Sequence, residues 1–413
     1  MNAGAASSEL TEPMRADPAI AQVIAALEDV PGCFLIGGAV RDLLLGRAPI
    51  DLDVVVEGDA GAAAATAAGR LGGAVVVHER FGTATVSARG LAFDLATARS
   101  ETYARPGALP DVRSASLDED LGRRDFTVNA LAAALSGDRL GELRAHPRAQ
   151  EDLHAARLRV LHERSFVDDP TRLLRMVRYA ARLAFAPEPR TQELAREAIG
   201  GGALATVSGA RLGEELRLAL REESATGAFS LARALGLEAA LHPDLRMDPE
   251  LAGAALSRLP PDGRRDLVRL AAACRGFERD GLRTWLDGLA FAGEEREVVV
   301  AAALDADDLA ERLEEARRPS EVGLAARGKP IEQVAMAGAL GAGPGAGTWL
   351  SELRHVELEV TGDDLLDAGV PEGPAVGAAL AAALAARLDG EAAGREAQLA
   401  VALRAAGEAA AGG

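Results

Sequence analysis

Only two cysteines, Cys33 and Cys274, occur in the 413 residues, too few for a disulfide framework or a cysteine-ligated zinc site, and a reducing cytoplasm fits that usage. Lysine occurs once, at Lys329, so arginine supplies nearly all the positive charge. Long hydrophobic runs are missing as well: no stretch near the roughly 20 residues needed to span a bilayer is apolar and uninterrupted. Met1 to Asp17 lacks the basic stretch and apolar run of a signal peptide. These absences predict a soluble, cytoplasmic protein with no membrane partner. A positive balance is also missing. The formal net charge of -18 argues against a general nucleic-acid binder, because phosphate neutralisation supplies most nonspecific affinity.

What is present is a chain long enough, with 48% hydrophobic residues, to bury a large core in two or more domains. Charge is uneven along it. From Leu153 to Arg182, seven arginines face only Glu163, Asp168 and Asp169. Because salt screens exposed charges over about 8 Å, a local basic surface there could grip RNA while remote acidic faces matter little. An ordinary solvated helix face is the competing reading.

Up to about residue 135, short β-rich runs alternate with helical stretches. Strands are predicted at Cys33 to Ile36, Leu52 to Val56, Ala74 to His78, Thr83 to Ala88 and Leu91 to Ala96. Beyond about residue 145, apolar residues recur at helical spacing, as in Leu173, Leu174, Val177, Ala180 and Ala181, and an all-helical remainder is expected. Glycine and proline predict breaks near Ser136 to Asp138, Gly200 to Gly202, Pro260-Pro261 and Gly341 to Gly347. The alanine-rich stretch Val376 to Leu403 keeps a helical pattern of leucines and charges and predicts a helix pair.

Chemistry concentrates in a few stretches. Gly37-Gly38 after the first strand allows a tight turn, and a helix from about Ala39 to Leu45 would aim unpaired amides at a phosphate there. Asp51-Leu52-Asp53 follows. Residues two apart on a strand share a face, so the two carboxylates converge, and such a pair suits Mg²⁺, which takes few carboxylates and completes its shell with water and phosphate oxygens. Asp94, on a later predicted strand, would complete the site unless it simply faces solvent. Metals so placed would assist phosphoryl transfer without a covalent nucleophile. Asp169 and Arg172, three apart in a predicted helix, would share a face and offer an acceptor and a fork of donors to a base edge. An intrahelical salt bridge is the plainer account of that spacing. The six histidines show no ligand spacing and no adjacent His-Asp pair, against a fused metal phosphohydrolase domain.

Together these stretches resemble class II of the tRNA nucleotidyltransferase and poly(A) polymerase family. Gly37, Gly38, Arg41 and Asp42 match its opening signature, and Asp51 and Asp53 its metal-binding pair. Arg123 to Leu131 matches the Arg-Arg-Asp-Phe-Thr-x-Asn-Ala segment. The resemblance implies phosphate contact by Arg124 and ribose 2′-hydroxyl recognition by Asp125, with Asn129, Arg175 and Arg178 also at the nucleotide. Asp168-Asp169-Pro170-Thr171-Arg172 resembles the nucleotide-selecting Glu-Asp-x-x-Arg motif, with aspartate in place of the leading glutamate. Softer matches are Phe81-Gly82-Thr83, Ala98 to Val112 and Ser208 to Glu215.

The implied fold class is an α+β N-terminal nucleotidyltransferase (DNA polymerase β-like) head with a small mixed sheet, followed by an elongated all-α neck, body and tail. The expected divisions are 1–140, 141–205, 206–320 and 321–413. The implied activity is Mg²⁺-dependent CMP and AMP addition to the tRNA 3′ acceptor end, from CTP and ATP, with pyrophosphate released. CC-only addition, A-only addition, poly(A) synthesis, an inactive RNA-binding relative and a small-molecule nucleotidyltransferase are the alternatives.

Overall fold

In the computed structural model, which describes residues 3–78 and 82–411, the β-rich runs fold where their pattern places them. They form β1 (Cys33–Ile36), β2 (Asp53–Val56), β3 (Ala74–His78), β4 (Thr83–Ala88) and β5 (Leu91–Thr97). Four more strands are invisible to the pattern: β6 (Arg99–Thr102), β7 (Asp111–Ser114), β8 (Leu131–Ala134) and β9 (Leu143–Ala145). Seven strands build one sheet in the order β3-β4-β5-β2-β1-β8-β9, and β6 with β7 forms a separate hairpin. Only β2 and β5 run parallel within the large sheet, so it is mixed. Phe81, part of one soft match, lies outside the described residues.

Side-chain alternation decides which face each residue supplies. Leu35, Val54, Val56, Phe93 and Leu95 enter a core completed by Ile20, Val23 and Leu27 of the helix Pro18–Leu27, and by Ala63, Ala64 and Ala67 of the helix Ala60–Leu71. Phe34, Ile36 and Val55 enter the opposite core, against Leu117 and Leu121 of the helix Leu117–Gly122. A one-residue slip of β2 would exchange these faces and expose side chains whose burial is worth roughly 1.5–3 kcal/mol each. That register therefore fixes where Asp53 points.

After β9, helices dominate, apart from the two-residue parallel pair β10 (Arg157–Leu158) and β11 (Ala186–Pro187). The helix Thr171–Leu183 buries Leu173, Leu174, Met176 and Val177. The chain divides into two compact units, Met1–Glu215 with Glu222–Ala240, and Leu216–Arg221 with Leu241–Gly413. Among its described residues the second unit contains helices and no strand. One of its cores gathers Leu309, Leu313, Val334 and Trp349, and another gathers Val360, Leu365, Ala379 and Ala402. The alanine-rich stretch forms the expected pair, Pro374–Leu388 and Arg395–Ala411. The glycine-rich break is narrower than expected. A helix already starts at Gly343 and runs to Ser351, because Pro344 falls in its first turn, where the missing amide costs nothing. Among the described residues, no helix is long and apolar enough to cross a membrane.

Candidate active site

The chain leaves β1 through Gly37, whose φ of +62° suits glycine, and a Cβ there would stand 3.0 Å from Arg124 Nη1. The helix Gly38–Leu44 follows. Asp53 opens β2, but Asp51 precedes the strand in a bend. This corrects the reading of both as strand residues: pairing with β1 begins only at Val54, and pairing with β5 at Asp53. Alternation still holds, with Asp51 and Asp53 exposed and Leu52 and Val54 buried. Asp94 is the register partner of Asp53 across the parallel β2–β5 pair, and partners in register share a face. Asp94 Oδ1 accepts from Thr85 Oγ1 at 2.5 Å. Asp53 reaches solvent along a concave wall crowded by protein. Burial first, then the charges of Asp94 and Asp51, push its carboxyl above the usual aspartate range, while Arg124 pulls the other way.

The arginine motif lies across from these carboxylates. Asp120, fully buried, accepts from Arg123 Nη2 at 2.7 Å and from Arg124 Nη2 at 2.9 Å. A capping box at Ser116 and Glu119 starts the short helix that presents it. Asp125 Oδ1 accepts from the Phe126 amide at 2.8 Å and from Asn129 Nδ2 at 3.0 Å, and its Oδ2 takes Arg175 Nε and Nη2 at 2.9 and 2.7 Å. Burial raises this carboxyl, but Arg175 and Asn129 outweigh it and hold the pKa at about 2. Asn129 Oδ1 accepts from Arg41 Nη1 at 2.6 Å. Arg41, itself buried and bonded to Asp42, therefore stands behind the site and orients Asn129.

Asp169 and Arg172 meet differently from the sequence expectation. Asp169 is extended, with φ -134° and ψ 92°, and precedes the helix that contains Arg172, so no helical face is shared. The geometry follows from Pro170, which disfavours helical backbone in the residue before it. Nor does the salt bridge form. Asp169 Oδ1 accepts from the Thr171 amide, Thr171 Oγ1 and Arg211 Nη2, whereas Arg172 donates to Ser165 Oγ at 2.6 Å and to the Arg123 carbonyl at 2.7 Å.

One cavity of about 300 Å³ gathers Gly37, Gly38, Asp53, Arg124, Asp125, Asn129, Asp169, Arg172 and Arg175 from among the expected residues. Asp51, Asp94, Arg41 and Arg178 are not in its lining. Arg178 is buried against Glu215 and Glu222. The basic segment is likewise less free than its count implies: Arg159 pairs with Asp152, Arg164 with Asp168, and Arg175 with Asp125 and Glu215. A larger cavity of about 1060 Å³ lies in the second unit, lined by Glu294, Glu295, Glu297 and Glu332 among others. It holds none of the motif residues, so the smaller cavity is the candidate.

The cavity also takes in Glu101, Tyr103, Arg123 and Tyr179, which the motifs did not assign as site residues. A compositional signal was available: the chain has only two tyrosines, and both line this cavity. Arg41, Arg175 and Arg178 place their guanidinium carbons 5.8, 5.5 and 4.8 Å from the Tyr179 ring centre.

Known proteins resemble this chain in sequence and in fold. Residues 33–159 match the family model described as the poly(A) polymerase head domain. The A-adding tRNA nucleotidyltransferase of Geobacter sulfurreducens is 36% identical over 396 residues, covering 90% of this chain and 45% of the relative. The chain spans about half the length of the curated relatives it matches. A solved apo form of a CCA-adding enzyme superposes with a TM-score of 0.81 at 29% identity, over 96% of this chain and 98% of that one. The Thermotoga maritima CCA-adding enzyme complexed with tRNA gives 0.74 at 29% identity, over 96% and 98%.

Proposed function

The chain belongs to the tRNA nucleotidyltransferase and poly(A) polymerase family, and from that premise we propose that it adds CMP and AMP to the 3′ end of tRNA without a template. The observation that carries this reading is the register of Asp53 against Asp94, beside a cavity whose lining also includes Asp169 and Arg172. Carboxylates for nucleotidyl transfer and charged groups for reading a base thus belong to one site.

The acidic residues fit a divalent cation. Asp53 is disfavoured as an anion first by burial and then by the charges of Asp94 and Asp51, with Arg124 opposing, and the positive charge of Mg²⁺ would offset the repulsion among the carboxylates. Among the described residues, no three His, Cys, Asp or Glu side chains form a ready cage, and Mg²⁺ is commonly held by one or two carboxylates plus phosphates. Asp51 and Asp53 would hold it, with Asp94 alongside. Bound there, Mg²⁺ would supply charge neutralisation as the RNA 3′-hydroxyl attacks the α-phosphate and pyrophosphate leaves.

The remaining work falls to the chain's own side chains. Arg124, steadied by Asp120, faces the triphosphate across from Asp53. Asp125, kept ionised by Arg175, accepts the ribose 2′-hydroxyl by sharing an oxygen already bonded to protein donors. Asp169 keeps Oδ2 without a partner among the described residues, while Arg172 offers donors, so the two together accept some base edges and reject others. The four-part division into head, neck, body and tail, with the tail touching tRNA, belongs to the same proposal.

A-only addition is the second reading, favoured by the A-adding Geobacter relative that aligns with 90% of this chain. Incubating the purified protein with tRNAs lacking CCA, CA or A, each with single NTPs, and sequencing the ends separates the readings. Extension of all three substrates supports full CCA addition, and extension of only the last supports A-only addition.

A further inference from the structure

The two tyrosines of the cavity are placed for different work. Tyr179 is crowded by three guanidinium groups and by the edge of Phe126, 6.0 Å away between ring centres. No aromatic ring or guanidinium lies over Tyr103 among the described residues, and Tyr103 is only half-buried. Its ring is nonetheless held. The hydroxyl donates to Glu101 Oε2 at 3.0 Å, Glu101 Oε1 accepts from Arg123 Nη1 at 2.6 Å, and the Arg123 carbonyl accepts from Arg172 Nη2. Burial and the Glu101 charge push the phenol up to about 12, with Arg172 opposing and Asp169 adding. Tyr103 therefore stays a neutral hydrogen-bond donor and lies within electrostatic reach of both base-reading groups.

We propose that Tyr103 is the stacking platform for the incoming nucleobase, its ring face setting the base so that its edge meets Asp169 and Arg172. An aromatic face suits this task because it accepts purine and pyrimidine alike while the flanking charges discriminate between them. The proposal rests on the nucleotide-transfer reading of the same cavity.

The test uses the full chain and compares wild type with Tyr103→Ala and Tyr103→Phe. Calorimetric titration with ATP, CTP and ribose 5-triphosphate, which has no base, gives the affinities. Loss of a stacked base should weaken ATP and CTP binding to Tyr103→Ala by roughly 5- to 100-fold, ATP the more, while Tyr103→Phe stays within about threefold of wild type. Ribose 5-triphosphate should bind all three proteins alike. The proposal is overturned if Tyr103→Ala binds ATP and CTP like wild type, if Tyr103→Phe fails as badly as Tyr103→Ala, or if the baseless triphosphate weakens in parallel. The second outcome would assign the effect to the Glu101 bond, and the third to a general collapse of the site. A wild-type chain that shows the expected binding pattern but extends no tRNA removes the transfer reading and leaves the stacking result standing. A wild-type chain that binds neither ATP nor CTP overturns both.

Discussion

Replacing Asp125 with asparagine tests whether the buried ion pair at the centre of the cavity is as strong as its geometry indicates. Asp125 is 7% exposed and receives four N–H bonds, two of them from Arg175. Its pKa of about 2 in the folded protein lies roughly two units below the usual aspartate value near 3.9, a difference worth about 2–3 kcal/mol. The sign follows from the depressed folded value. The stabilisation is present above the unfolded pKa and is lost as pH falls toward the folded one, with about half gone by pH 3. Asp125→Asn keeps the shape and removes the charge, so it should melt lower than wild type at pH 7. The gap should narrow by roughly 2–4 °C per kcal/mol lost as the buffer is taken to pH 3. Scanning calorimetry of both proteins from pH 7 to pH 3 reads this directly. A melting difference that stays constant over the range would refute the linkage argument. In the same variant, the preference for ATP over dATP should narrow, by a factor corresponding to about 1–3 kcal/mol for a hydrogen bond to a charged acceptor. An unchanged ratio would leave Asp125 as a structural anchor for Arg175 and Asn129, with no role at the ribose.

Three further outcomes are expected. Asp53→Asn should abolish nucleotide incorporation while melting no lower than wild type, because ionised Asp53 is already disfavoured by burial and by Asp94; primer extension beside circular dichroism checks both, and residual activity near wild type would remove the metal assignment. Asp169→Ala or Arg172→Ala should lower CTP and ATP incorporation and make UTP or GTP relatively more acceptable, as single-nucleotide addition with all four NTPs would show. Intact selectivity in both variants would sink the base-reading role. Gly37→Ala should destabilise the first unit by about 1–2 kcal/mol through its positive φ and crowd Arg124, raising the KM for nucleotide; a melt and kinetics like wild type would show the turn to be tolerant.

The sequence by itself determined strands β1 to β5, because runs such as Val54 to Val56 and Val75 to Val77 are β-branched, lie between turn residues and need no partner to be recognised. Gly37, Gly38, Asp53, Arg124 and Asp125, which line one cavity, were also singled out by local patterns: a glycine turn, alternating carboxylates and an Arg-Arg-Asp segment. β8 escaped because Leu-Ala-Ala-Ala has little strand preference of its own; it is a strand because β1 and β9 flank it and satisfy its backbone. Likewise, spacing alone placed Asp169 on a helix with Arg172, whereas Pro170 and the long-range bond from Arg211 set its actual orientation. Only the tertiary structure decided which arginines reach the cavity: Arg175 lines it while paired with Asp125 and Glu215, and Arg178, one turn further along the same helix, is buried against Glu215 and absent from the lining. It also brought Tyr103 and Tyr179, 76 positions apart by their numbers, into one wall. Contacts between residues distant in sequence depend on how the sheet and helices pack, and local periodicity carries no record of that packing.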